Sequence, residues 1–471
     1  MAEDGRRARW VFAFLLLLAS AAAAAVRFHE IGRRSVWFDE GLSLGMAQIP
    51  LAELVRRPLS LGLRNQVFYY LALHPWHLLG DDISTVRAFS AVCSVVSVVL
   101  TSLLGRRLFG AFAGVSAGSL LALHWFSIRY AQEARGYALA TMLTCLAALL
   151  LARFVERGRG RDLAGWTLAS GLAMYAHFFA LFAVASQVFS LVALGPRALL
   201  DRRMVLAGIA GIVLLVAPIV QSLSGASHQL LYWVPPVSLE SVVQQTVSLA
   251  GGSRSLPWLY LVVLGILLVR IVRAADPVSR WGNALCISWA LGPLLAIAAV
   301  SLWSPILLSR YLVMSIPAWT LAAGAAAGAM LRSKRLMPLA CALVGVLLAS
   351  ELGAVGSVYR STFEDWKTPA TLIAAETRPG DTILYETSWS GLALGYYLDR
   401  SSARPERLQK GELLFSNDFD KAEASSAERV WLVLSREDAV RSIRLQALLE
   451  KEHPNISSKY AGDLRVMLYE R

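Results

Sequence analysis

Charge is scarce in this chain. Only 17% of its 471 residues are Asp, Glu, Lys or Arg, and 56% are hydrophobic; a soluble domain carries about 25% charged residues. The scarcity is concentrated in runs of roughly 17–22 residues, the length that crosses a hydrocarbon core of about 30 Å. A soluble globular protein is thereby excluded, and a polytopic membrane protein is predicted. The middles of these runs are nearly free of ionisable groups, whereas a transporter or proton pump needs them near the bilayer midplane. Cysteine is sparse too. Cys93, Cys145, Cys286 and Cys341 lie in apolar runs without metal-ligand spacing, so they read as small buried packing residues. Acidic residues number 33 against 45 basic ones, a net charge of +12. Nucleic-acid binding does not follow, because the Lys and Arg sit in short clusters between apolar runs, where they orient a membrane protein and can meet lipid phosphates.

What is present can be ordered by the positive-inside rule. Arg6, Arg7 and Arg9 precede VFAFLLLLASAAAAAV. A basic head, an apolar body and Ala-x-Ala also describe a cleaved signal peptide; the reading preferred is a retained first span, and in both cases the chain beyond residue 27 starts outside. Further candidate spans fall at 83–104, 110–128, 136–152, 163–177, 178–195, 204–222, 257–272, 283–303, 311–330 and 336–354, giving about 11 transmembrane helices. With the N-terminus in the cytoplasm, the connections on that side are GRRLFG, RFVERGRGRD, GPRALLDRR, RIVRAADPVSR and RSKR, every one basic. VFYYLALHPWHLLG is short for a span and reads as interfacial, and 163–195 must be a tight hairpin.

Three parts then face outward: the first loop at 27–82, a loop at 223–256 that reads as a Pro-broken turn followed by an amphipathic surface helix, and the tail at 356–471. In the tail, TPATLIAAET reads as helix, DTILYET and RVWLVLS as short strands, EDAVRSIRLQALLEKE as an amphipathic helix and LRVMLYER as a closing strand. The expected fold is therefore mainly α, polytopic, with residues 1–355 in the transmembrane domain and 356–471 in a small extracytoplasmic α/β domain. That domain has no Gly-rich nucleotide fingerprint and no metal cluster.

The polar side chains gather at the outer ends of the spans: Asp39 and Glu40, Arg87, Arg129, Glu133, Arg135, His177, Arg310 and Glu351. Both signs in one interfacial layer suit chemistry on a substrate with its tail in lipid and its reactive end at the surface. In HWFSIRYAQEARGYAL, residues 124–139, Arg129, Glu133 and Arg135 lie within a turn or two of each other. Arg suits phosphate because its planar fork pairs with two oxygens; interfacial anchoring with local ion pairing is the plainer alternative. A lone Arg310 at a span end is most often a snorkelling anchor, and His177 is most often a hydrogen-bonded packing residue. Asp39 has a plain alternative as the N-cap of a helix over EGLSLGMAQ. The aromatics Trp37 and Phe38 just before the acidic pair suit a sugar ring or a lipid interface.

WFDEGLSL, FYYLALHPWHLLG, TVRAFSAVCSVVSVVLTSLLGRRLFG, IRYAQEARGYAL, MYAHFFALF, YWVPPVSL and LLSRYLVMSIPAW occur in that order. Together, over residues 10–330, they resemble the bacterial multi-span glycosyltransferases of the protein O-mannosyltransferase and aminoarabinose transferase type, of glycosyltransferase clan C. The resemblance implies a donor bearing one sugar on a polyprenyl monophosphate, of the undecaprenyl kind. It implies transfer to a glycan, lipid or protein acceptor outside the cytoplasmic membrane of a bacterium, with inversion at the anomeric carbon. By the same resemblance Asp39, in the catalytic first external loop, matches the general base, and Glu133 matches the acidic position of the second external loop. Glu40 is the weaker candidate, for orientation. Arg129, Arg135, Arg310 and Tyr311 lie where the donor phosphate is expected. Trp37, Asn65, Gln66, Tyr69 and His177 are the candidate substrate contacts. Many relatives carry Pro-Pro ahead of the LYY-like stretch; here Asn65, Gln66 and Val67 stand there. No cofactor is required. A divalent metal ion is compatible, since Asp39, Glu40 and Glu133 offer oxygen ligands, but no spacing demands one. The alternatives are a lipid-linked glycan transporter or flippase, and a non-catalytic envelope-polysaccharide assembly protein.

Overall fold

The computed structural model describes residues 2–56, 66–195, 201–211, 234–360, 364–378, 380–385, 388–400, 427–434, 440–461 and 464–471. The described apolar runs are helical, as they must be in lipid, where only a helix satisfies its own backbone within one segment. In chain order the helices up to the first tight hairpin are α1 (Ala2–Phe28), α2 (Phe38–Gln48), α3 (Leu51–Arg56), α4 (Val67–His77), α5 (Ile83–Phe109), α6 (Ala111–Leu123), α7 (Trp125–Ala131), α8 (Tyr137–Arg157), α9 (Gly160–Ala176) and α10 (Ala180–Ser190). Then follow α11 (Leu239–Leu249), α12 (Leu256–Arg273), α13 (Pro277–Val300), α14 (Ile316–Met330) and α15 (Met337–Arg360). The tail carries α16 (Lys367–Glu376), β1 (Thr382–Tyr385), α17 (Ser388–Leu398), β2 (Arg429–Leu434), α18 (Val440–Glu452), β3 (Asn455–Ala461) and β4 (Leu464–Glu470).

Among the described residues, seven helices are long and apolar enough to span a membrane, and α6 with α7 forms a further segment bent by 59°. The hairpin expected at 163–195 is α9 followed, after three residues, by α10, and α4 is a helix of 11 residues with Pro75 inside it. The candidate span at 204–222 lies largely outside the described residues, as does Asn65. Cys93, Cys145 and Cys286 are buried as expected, but Cys341 is exposed on α15, because that helix turns most of its apolar surface outward.

The described residues divide into two compact units. The first comprises residues 1–29, 50–80 and 85–360. Small residues let its helices approach closely. A Cβ on Gly114 would stand 2.4 Å from the Ser102 carbonyl oxygen, and one on Gly324 2.4 Å from that of Ala113, so α5, α6 and α14 meet backbone to backbone. Buried indoles add directional ties: Trp289 Nε1 donates to Met314 O and Trp319 Nε1 to Ala290 O, each at 3.0 Å. At one end of α8, the basic connections pair with their neighbours, Arg107 with Glu156 and, at 3.0 Å, Arg153 with Asp162.

The second unit comprises residues 30–49, 81–84 and 361–471. Thus α2 groups with the tail rather than with the spanning helices. The tail's sheet has the order β1-β2-β4-β3, with β1 parallel to β2 and the other pairs antiparallel. Its core joins Val430, Leu432 and Leu434 of β2 to Met467 and Tyr469 of β4 and to Leu445 and Leu449 of α18. The sequence reading anticipated α16, β1, β2, α18 and β4. It did not anticipate β3, an edge strand whose NISSKYA lacks a buried alternating face, nor α17.

Candidate active site

In the first unit the site grows from the bend between α6 and α7. His124 at the bend has no capping side chain for α7, so the free amide of Trp125 donates to Glu351 Oε2 of α15 at 3.1 Å. His124 Nε2 stands 3.1 Å from Leu249 O and 3.7 Å from Glu351 Oε1. On the other side Arg27 of α1, fully buried, donates to the carbonyls of Leu121 and Ala122 at 3.0 and 2.6 Å. It also donates to Ser94 and Ser127 hydroxyls at 2.8 and 3.1 Å. The exposed donors and acceptors of a broken helix are thus met by side chains from two other helices.

The short helix so held carries in its last turn Arg129, whose Nε lies 3.8 Å from Glu133 Oε1. The local ion pair of the plainer reading therefore exists. Glu133 and Arg135 are both buried, and Arg135 Nη1 donates to the Tyr70 hydroxyl at 3.4 Å. Gly136 lets the turn sit on α9: a Cβ there would be 2.2 Å from Ala176 O and 3.4 Å from Tyr69 Cβ. Tyr69 is fully buried beside Tyr70 and Phe89.

Arg310 and Tyr311 arrive from a short 3₁₀ turn, Ser309–Ser315, ahead of α14. Tyr311 stacks on Phe179 with ring centroids 3.8 Å apart and an interplanar angle of 13°. His177, buried at the end of α9, lies 4.7 Å from Tyr137, 5.8 Å from Phe179 and 5.7 Å from Tyr311. Its Nδ1 makes no hydrogen bond among the described residues. The charges of Arg135 and Arg310 act on His177, and those of Arg129, Glu133 and Arg310 on Tyr130. Three guanidinium groups and one carboxylate therefore share an aromatic-walled cluster, at the end of α8 away from Arg153 and Glu156. The 21 residues of α8 separate those ends by about 31 Å at 1.5 Å per residue. Gln66, the residue before α4, carries a buried Oε1 with no partner among the described residues.

The second unit carries Trp37, Asp39 and Glu40. Helix α2 begins at Phe38, so Asp39 lies in its first turn and is not its N-cap. Trp37 holds that position without a side-chain acceptor, and Glu40, wholly buried, takes the Trp37 amide on Oε2 at 3.5 Å. Asp39 is half-buried. The two adjacent carboxylates therefore have different environments: Glu40 is turned into the helix start, and Asp39 stands at the partly open face. Among the described residues no three His, Cys, Asp or Glu side chains gather as a metal cage.

The sequence reading missed Tyr70, Tyr130, Tyr137 and Phe179. All four stand in quoted motifs, Tyr130 and Tyr137 in the one that holds Arg129, Glu133 and Arg135, but helical spacing alone does not say which aromatic faces the cluster.

The fold matches ArnT from Cupriavidus metallidurans in its apo state, with a TM-score of 0.59 at 16% identity over 99% of this chain and 98% of that one. A second ArnT structure, bound to undecaprenyl phosphate, matches with a TM-score of 0.57 at 16% identity over 98% of each chain. The archaeal oligosaccharyltransferase AglB from Archaeoglobus fulgidus, in complex with an inhibitory peptide and a dolichol-phosphate, matches with a TM-score of 0.53 at 11% identity over 95% of this chain and 70% of that one. The chain thus has the clan C fold of membrane glycosyltransferases, the polyprenyl-phosphate-sugar type that its motifs resemble. Residues 66–221 match the family described as dolichyl-phosphate-mannose-protein mannosyltransferase. No curated protein matches it in sequence.

Proposed function

We propose that this enzyme moves one sugar from a polyprenyl monophosphate to an acceptor hydroxyl at the outer face of a bacterial cytoplasmic membrane. The observation that carries the reading is the gathering of Arg129, Arg135 and Arg310 beside Tyr311 and His177 at one end of the bundle. Such a cluster suits an anionic head group whose tail lies in lipid. The basic connections at the other end of α8 support an orientation with that end and the N-terminus in the cytoplasm. The likeness to a structure holding undecaprenyl phosphate supports the donor class.

In this reaction Asp39 accepts the proton of the acceptor hydroxyl. The acceptor oxygen forms its bond to the anomeric carbon from the face opposite the phosphate, and the bond from that carbon to the phosphate oxygen breaks. The electron pair leaves with the polyprenyl phosphate, so configuration inverts. Arg129, Arg135 and Arg310 stabilise the departing charge, and Tyr69, His177 and Tyr311 bound the sugar. Glu40 holds the start of the helix that carries Asp39. Trp37 and the Asn65–Gln66 segment are proposed to contact substrate. Asp39→Asn should abolish transfer while leaving membrane insertion intact. Mass spectrometry of lipid-linked sugars and envelope glycans would then show accumulated donor and missing product; wild-type product levels would remove Asp39 as the base.

A further inference from the structure

The tail's role follows from how α2 is held. A helix leaves its first amides without internal partners, and Trp37 offers α2 no capping oxygen. One missing acceptor comes from more than 300 residues away, and the chain leading into the helix is held from as far. The amide of Phe38 donates to Glu364 Oε2 at 3.2 Å, and that of Val36 to the Tyr397 hydroxyl at 2.6 Å. Glu364 Oε2 also accepts Trp366 Nε1 at 3.3 Å. Glu364 adopts a φ of +43°, a left-handed conformation that is unfavourable for a residue with a Cβ. Its carboxylate is thereby aimed at the α2 start despite local preference. One turn on, a Cβ at Gly41 would lie 2.7 Å from the Ala393 amide nitrogen, so α2 rests on the α17 backbone. The far end of the same loop is tied to the same helix: Ile83 donates to the Tyr396 hydroxyl at 3.0 Å, and Arg400 pairs with Asp81 at 2.7 Å.

We infer that the tail segment 364–400 is a positioning device for Asp39, with Glu364 and Tyr397 fixing the first turn of α2 so that the base is held at one orientation. The inference rests on Asp39 being the base. Neither Glu364 nor Tyr397 is proposed to touch substrate.

The test compares Asp39→Asn, Glu364→Ala, Glu364→Gln and Tyr397→Phe in the full-length enzyme. It measures turnover of the lipid-linked sugar in membranes and, separately, binding of undecaprenyl phosphate to the purified protein. Glu364→Ala and Tyr397→Phe should each lower kcat roughly ten- to a hundred-fold, the scale of a misplacement near 1 Å, with donor KM and undecaprenyl phosphate binding unchanged. Glu364→Gln keeps a carbonyl acceptor and should recover most of the rate. Parallel loss of kcat and undecaprenyl phosphate binding would show a merely structural role and overturn the inference. So would wild-type rates in both variants beside an inactive Asp39→Asn. Full activity in Asp39→Asn would overturn the base assignment, and the positioning inference with it.

Discussion

At the scale of single residues, charge and burial assign the work. Asp39 and Glu40 are neighbours in sequence, yet one is half-exposed and the other wholly buried on the Trp37 amide. A run of two acids could not say which was available; the helix start at Phe38 decided it. Arg310 read alone as a snorkelling anchor. The structure sets it beside Tyr311, with its guanidinium carbon 5.7 Å from the ring centroid and its charge acting on His177 and Tyr130. Arg310→Ala is therefore expected to raise the apparent KM for donor roughly tenfold or more, the worth of one charge-assisted hydrogen bond of about 1.5–3 kcal/mol, with little change for acceptor. Steady-state kinetics with each substrate varied would check it, and an unchanged donor KM would remove Arg310 from the phosphate site. The charged members of the cluster were legible because ionisable groups are rare in this chain. Its aromatic members were not, since 10% of the residues are aromatic and most serve packing.

At the scale of elements, two short helices share one device. Both α7 and α2 follow a residue without a capping side chain, and each first amide is met by a distant glutamate, Glu351 for Trp125 and Glu364 for Phe38. A side chain in the local sequence cannot reveal such a cap. The bend at His124 puts the end of α7 where Arg129 can meet Glu133. Glu351→Leu should thus leave the Trp125 amide buried and unpaired, costing about 1–3 kcal/mol and lowering both Tm and transfer rate. Glu351→Gln, which retains an acceptor, should be milder in both. Thermal unfolding in detergent together with donor turnover would measure the pair, and equal behaviour of the two variants would argue against the cap.

For the whole molecule, close backbone contact among α5, α6 and α14 sets the bundle. Gly324→Leu would drive a side chain into Ala113 O, 2.4 Å from the new Cβ, and overpacking of this kind costs roughly 1–3 kcal/mol. A lower Tm in detergent, with reduced folded yield, is the expected outcome; an unchanged Tm would mean that α6 and α14 can separate freely. The sequence by itself determined that the chain spans a membrane many times, because long apolar runs are a local property. It also determined which acids and arginines were worth watching, because in lipid an ionisable group needs a reason to be there. Only the tertiary structure decided that Tyr311 and His177 wall the arginine cluster and that α2 is capped by the tail. Those contacts join segments up to 361 residues apart, and no periodicity in a sequence records which distant hydroxyl or carboxylate will meet a given amide.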